Sequence, residues 1–216
     1  MYEAIIFDLD GTLLDTLDDL TDAVNAALEK YGYKTRTRED VRSFIGNGIV
    51  KLMERALGGK TDDFALVLKE FKTYYGVHCA DKTQPYEGVM ALLQVLREKG
   101  IKTAVLSNKA DFAVKTLAET YFGDLLMAAV GENEEAGIRK KPAPDALFAV
   151  MKELGVSKET TVYVGDSEVD IQTAQNAGIP CISVTWGFKD KDFLLQNGGT
   201  TFADEPLELL SVCGVI

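Results

Sequence analysis

The feature that most restricts the fold is an apolar run that ends in paired acids, Ala4-Ile5-Ile6-Phe7-Asp8-Leu9-Asp10-Gly11-Thr12. Side chains alternate along a strand with period two, so two acids separated by one residue share a face. At the carboxyl end of a parallel strand, that face overlooks the crevice where open α/β sheets bind ligands. Gly11 then lets the backbone turn sharply. Two carboxylates this close repel each other, so the arrangement calls for a cation, a shared proton or both. A lone Asp-x-Asp is more often a solvated turn, and only further strand ends of the same kind overturn that reading.

Such strand ends recur. Apolar runs at 4–8, 102–107, 125–130, 161–165 and 180–185, with a weaker one at 200–203, alternate with helical patterns at 87–99, 110–122, 144–154, 167–177 and 189–195. This rhythm predicts an α/β fold with a doubly wound, Rossmann-like parallel sheet. Gly100, Gly155 and Gly178 fall where helix C-caps want glycine. The stretch from about Leu17 to about Thr83 breaks the rhythm. Leu20, Ala23, Val24, Ala27 and Leu28 lie at helical spacing, further helical patterns follow at 49–57 and 63–75, and no strand intervenes. The expected division is a core of residues 1–15 and 84–216 with an inserted α-helical cap of 16–83. The connections near Asp15-Thr16 and Lys82-Gln84-Pro85 are candidate hinges.

Composition narrows the partners. The 216 residues carry a net charge of -11, which argues against nucleic acid or an anionic membrane. An anionic ligand would need local cations to reverse that field, and a divalent metal does so economically. Cys79, Cys181, Cys213 and the single His78 provide neither a disulfide framework nor a zinc site. Cys181, in an apolar run, reads as a buried inert thiol. The N-terminus reads as a core strand rather than a signal peptide, and no apolar run is long enough to span a bilayer, so a cytoplasmic location is expected.

Three more strand ends carry polar groups. Val105-Leu106-Ser107-Asn108 pairs a hydroxyl with main-chain N–H groups near a helix start, a small anion cradle, although such a serine is more often a plain helix cap. In Lys140-Lys141-Pro142-Ala143-Pro144-Asp145 the prolines stiffen the chain around Lys141, whose ammonium can neutralise a phosphoryl oxygen, while Lys140 reads as solvated. Val164-Gly165-Asp166-Ser167-Glu168-Val169-Asp170 places Asp166 and Asp170 on one helix face. With Asp8 and Asp10, they make a set of hard oxygen ligands suited to Mg²⁺.

Together these four motifs resemble the haloacid dehalogenase-like (HAD) hydrolase superfamily, in the family's order and with an insertion where the family carries a helical cap. Acids at both Asp8 and Asp10 match its phosphatases rather than its dehalogenases. The resemblance implies that Asp8 is the nucleophile and that Asp10 protonates the leaving oxygen and then activates water. It implies that Asp8, the Asp10 carbonyl and Asp166 hold Mg²⁺ with support from Asp170, and that Ser107, Asn108 and Lys141 bind the phosphoryl group. Asp15-Thr16-Leu17-Asp18-Asp19-Leu20, Ala23-Val24-Asn25 and Phe44-Ile45-Gly46-Asn47-Gly48 resemble phosphoglycolate phosphatase-type members, in which the cap loop corresponding to Gly46, Asn47 and Gly48 closes over the site. That loop reads equally as a helix-to-helix turn with a glycine N-cap. Trp186-Gly187-Phe188 is also family-like. A small phosphorylated metabolite is the expected substrate, and the expected assembly is a monomer or homodimer. Pyrophosphate, nucleotide and sugar-phosphate substrates remain open, as does a catalytically silent binding or regulatory module. No histidine precedes His78, which argues against a sugar-phosphate mutase.

Overall fold

A computed structural model describes residues 2–133, 137 and 139–216. Six parallel strands form one sheet in the order β5-β4-β1-β6-β7-β8: Ala128–Glu132, Lys102–Ala110, Ala4–Phe7, Thr161–Gly165, Cys181–Val184 and Phe202–Ala203. Winding reverses at β1, whose neighbours are β4 and β6. Their carboxyl ends therefore flank the switch point where such sheets bind ligands. The parallel α/β architecture predicted from the alternating runs is the observed one.

Alternation along the strands sorts side chains between two helix layers. Ile5, Phe7, Val105, Val162 and Val164 join one core cluster with α5 (Val89–Glu98), α6 (Asp111–Tyr121) and α10 (Glu208–Val212). Ala4, Ile6, Ala104, Leu106 and Tyr163 join the other with α7 (Asp145–Leu154) and α8 (Glu168–Ala177). A short α9 (Lys191–Gln196) links β7 to β8. Gly155 and Gly178 end α7 and α8 in the left-handed conformation expected of C-cap glycines.

Between β2 (Leu14–Asp15) and β3 (Gln84–Pro85) the chain is helical: α1 (Leu17–Lys30), α2 (Arg38–Phe44), α3 (Ile49–Leu57) and α4 (Phe64–His78). Val24, Leu28, Met53, Val67 and Phe71 form its interior, continuous with the first core cluster. Two features of the connections escape the sequence pattern. β2 and β3 pair antiparallel and zip the connections together. Buried Asp19 accepts hydrogen bonds from the main-chain N–H groups of Lys82 and Thr83 and from the Thr83 hydroxyl. The helix α2, whose Thr37 and Asp40 form a capping box, is also an addition to the sequence reading.

Candidate active site

The switch point gathers the carboxylates. Asp8 follows β1, and both its hydrogen bond from Leu9 N (2.7 Å) and its ion pair with Lys141 Nζ (3.1 Å) fall on Oδ1. Oδ2 is left without a hydrogen-bond donor among the described residues. Asp166 follows β6 and accepts from Phe188 N at 2.7 Å. Asp170, one turn into α8, accepts from Lys141 Nζ at 2.7 Å, and its other oxygen takes the N–H and hydroxyl of Ser167. Ser167 and Asp170 thus form the capping box of α8, so Ser167 rather than Asp166 is its N-cap.

Lys141 is wholly buried among these acids. Its ammonium also donates to Tyr163 Oη at 3.0 Å, and Tyr163 donates onward to the Leu106 carbonyl. Burial alone would push the ammonium down, yet the charges of Asp170 and Asp8 outweigh it and hold Lys141 well above the usual lysine range. What fixes the main chain here is Asn108. Its carbonyl accepts from Lys141 N (2.8 Å) and its amide donates to Lys141 O (2.9 Å) and to Gly46 O (3.3 Å). The side chain expected to touch phosphate is therefore committed to three main-chain partners. It positions Lys141 and the 46–48 loop.

The acids lack sufficient countercharge. Burial pushes Asp8 up to about 7, against the pull of Lys141. Burial, then the charges of Asp170 and Asp8, push Asp166 well above the usual carboxylate range. One oxygen from each of Asp8, Asp166 and Asp170 lies within 4.8 Å of the others, and all three residues are buried. A set of hard oxygen donors with excess negative charge fits a hard divalent cation. A side chain at Gly11 or Gly187 would collide with Asp166, so both glycines are required by close packing around this carboxylate.

Asp10 lies outside that cluster. Its side chain turns to Thr16 Oγ1 (2.7 Å) and to Lys109 Nζ (2.9 and 3.1 Å). As a metal ligand, Asp10 is thus restricted to its main-chain carbonyl, and its carboxylate is kept for other work. Lys109 is a residue of the site that sequence reasoning missed. The predicted strand 102–107 continues to Ala110, with a register irregularity after Leu106, and that continuation carries Lys109 into the site. The extension also displaces the start of α6 to Asp111, so Ser107 is not a helix cap.

Asp8, Asp10, Ser107, Asn108, Lys109 and Asp166 share a cavity with Leu20, Ile45, Gly46, Gly48, Ile49 and Leu52 of the helical segment. The cavity, partly open to solvent, has about 50 Å³ of space and would hold roughly three to five waters. Asn47 turns away, its carbonyl accepting from Arg55. Gly48 is both the N-cap of α3 and a cavity wall, so the two readings of this loop are compatible. Lys140 is part-buried and faces Glu132 at 4.0 Å, not open solvent. Cys181 is half-buried rather than buried, and burial holds its thiol far above the usual range, which keeps it unreactive.

Comparison with known proteins agrees with the geometry. The family profile described as haloacid dehalogenase-like hydrolase matches residues 5–184. The chain is 34% identical to a phosphoglycolate phosphatase of Pseudomonas syringae pv. tomato, over 97% of this chain and 79% of that protein. It is 36% identical to one of Neisseria meningitidis, over 92% and 86%. A solved structure put forward as a phosphoglycolate phosphatase of Lactobacillus delbrueckii subsp. bulgaricus superposes with a TM-score of 0.93 at 42% identity, covering 99% of both chains. No helix among the described residues is long and apolar enough to cross a membrane. The chain belongs to the haloacid dehalogenase-like hydrolases.

Proposed function

We propose that this hydrolase is a Mg²⁺-dependent phosphatase acting on a small phosphomonoester of the phosphoglycolate type through an aspartyl-phosphate on Asp8. The phosphoric monoester activity follows from the family and from the names of relatives such as those of Pseudomonas and Neisseria. The observation that carries the mechanism is the cluster of buried Asp8, Asp166 and Asp170 around the Lys141 ammonium, at the carboxyl ends of β1 and β6. The small cavity favours a compact substrate over a nucleotide.

In this reading Asp8 attacks phosphorus through the carboxylate oxygen that carries no protein hydrogen bond, and the bond from phosphorus to the leaving oxygen breaks. Asp10 gives that oxygen a proton. A water then attacks the aspartyl-phosphate, Asp10 takes its proton, and inorganic phosphate leaves with Asp8 restored. Lys141 and Ser107 stabilise charge on the phosphoryl oxygens. Asp8, Asp166 and the Asp10 carbonyl would hold Mg²⁺, which supplies further charge stabilisation when bound. Asp170 acts by holding Lys141 and Ser167. The helical segment 16–83 serves as the cap over core residues 1–15 and 84–216.

The test is rapid quench with phosphoglycolate carrying labelled phosphate. Wild type should transiently carry label on Asp8, and excess chelator should stop turnover. Asp8→Asn should abolish turnover with the fold intact, because an amide is a poor nucleophile. Asp10→Asn should lose about 10²–10⁴-fold. A wild type that turns over without ever carrying label would replace this scheme with direct attack by water.

A further inference from the structure

We propose that Lys109 determines specificity by binding an anionic group on the leaving side of the substrate, such as the carboxylate of phosphoglycolate. The inference rests on the phosphatase reading above and deepens it. Its side chain is only 2% exposed, yet its ammonium borders the cavity. Two of its contacts are the oxygens of Asp10, and the Tyr75 ring of α4 packs on it at 4.6 Å from the centroid. An ammonium has three N–H donors. Asp10 is its only hydrogen-bonding partner among the described residues, so the third N–H has only the Tyr75 ring face, a weaker partner than an anion's oxygen.

The rest of the cavity points the same way. Lys141 is held by Asp8, Asp170 and Tyr163 and is assigned to the phosphoryl oxygens, not to the leaving group. Lys189, the other lysine lining the cavity, has its ammonium 5.4 Å from the Phe193 ring centroid. It has no hydrogen bond or ion pair among the described residues, so Lys189→Met is the control for Lys109→Met. Leu20, Ile45, Ile49 and Leu52, which also line the cavity, offer an anion nothing. A leaving group with its own negative charge would meet the excess negative charge of Asp8, Asp166 and Asp170 unless Lys109 received it. A neutral leaving group of equal size gains nothing from this lysine.

The experiment compares phosphoglycolate with its neutral isostere, the phosphate ester of glycolamide, with an aryl phosphate as a third substrate. In wild type, phosphoglycolate should be the better substrate. Lys109→Met should lower the ratio of kcat/KM for phosphoglycolate over the isostere by about 10- to 100-fold, the usual worth of a hydrogen bond to a charged group. Lys109→Arg should recover part of that ratio. Lys109→Gln, which keeps a donor for Asp10, makes the same test if the methionine variant does not fold. Equal losses on both substrates would show that Lys109 only positions Asp10, and would overturn the inference. A wild type that hydrolyses none of the three would instead overturn the phosphatase reading on which it stands.

Discussion

At the scale of single residues, the site is a problem of uncompensated charge. Asp8 is pushed up to about 7 and Asp166 is held well above the usual carboxylate range, both chiefly by burial. The metal-free folded protein therefore retains protons that the unfolded chain releases once pH passes the ordinary aspartate value of 3.8. The folded state binds more protons through that window, so stability falls as pH rises from about 4 to about 7. A cation binds the ionised carboxylates, so its stabilising effect grows over the same range. Melting temperatures measured across this window, in chelator and in excess Mg²⁺, should separate progressively with pH. A Mg²⁺-induced shift of equal size at both ends would remove these carboxylates from the cation site. The acids were legible in the sequence because each follows an apolar strand. Lys109 was not, because it stands beyond Leu106, where the apolar run ends although pairing continues to Ala110.

At the scale of elements, strands and glycine caps were readable from alternation and turn chemistry, whereas the links between elements were not. The antiparallel pairing of Leu14–Asp15 with Gln84–Pro85 depends on residues about 70 apart, and no local periodicity encodes it. The Asp19 clamp on Lys82 and Thr83 is equally non-local. The connections expected as free hinges are thus stitched to each other and to α1, so any motion there is guided rather than loose. The Gly46-Asn47-Gly48 loop illustrates how structure refines a sequence reading. Gly46 has φ +116 with open space where a Cβ would stand, while Gly48 has φ +82 and a Cβ there would lie 2.7 Å from Glu132 Oε2. Valine at 46 therefore acts through backbone strain alone, of order 1–3 kcal/mol. Valine at 48 adds a collision with Glu132. Both variants should lower kcat/KM for phosphoglycolate strongly, Gly48→Val more than Gly46→Val, and lower that for an aryl phosphate much less. Equal losses on the two substrates at unchanged melting temperature would deny the loop a part in selection.

At the scale of the whole molecule, the helical segment and the sheet meet through few polar contacts, and one of them reaches the carboxylate cluster. Arg42 of α2 donates from Nε to the Phe188 carbonyl (2.9 Å) and from Nη2 to the Gly187 carbonyl (3.2 Å). Phe188 in turn donates its N–H to Asp166. A contact made when the helices sit on the core is thereby tied to the loop that orients a proposed metal ligand. Closing such a segment excludes water and strengthens the electrostatics of the enclosed groups. Arg42→Ala removes the bridge but leaves the core clusters and the carboxylates in place. Its melting temperature should change little, because the Arg42 side chain is partly exposed and makes no part of either apolar cluster. Turnover of phosphoglycolate should nonetheless fall, with KM rising, and limited proteolysis should cut the 82–85 connection faster than in wild type. The aryl phosphate, which depends less on enclosure, should lose less. If Arg42→Ala left kcat, KM and proteolysis unchanged, the Arg42 bridge would be an incidental surface contact, and the coupling of closure to Asp166 would have to run through the apolar interface alone.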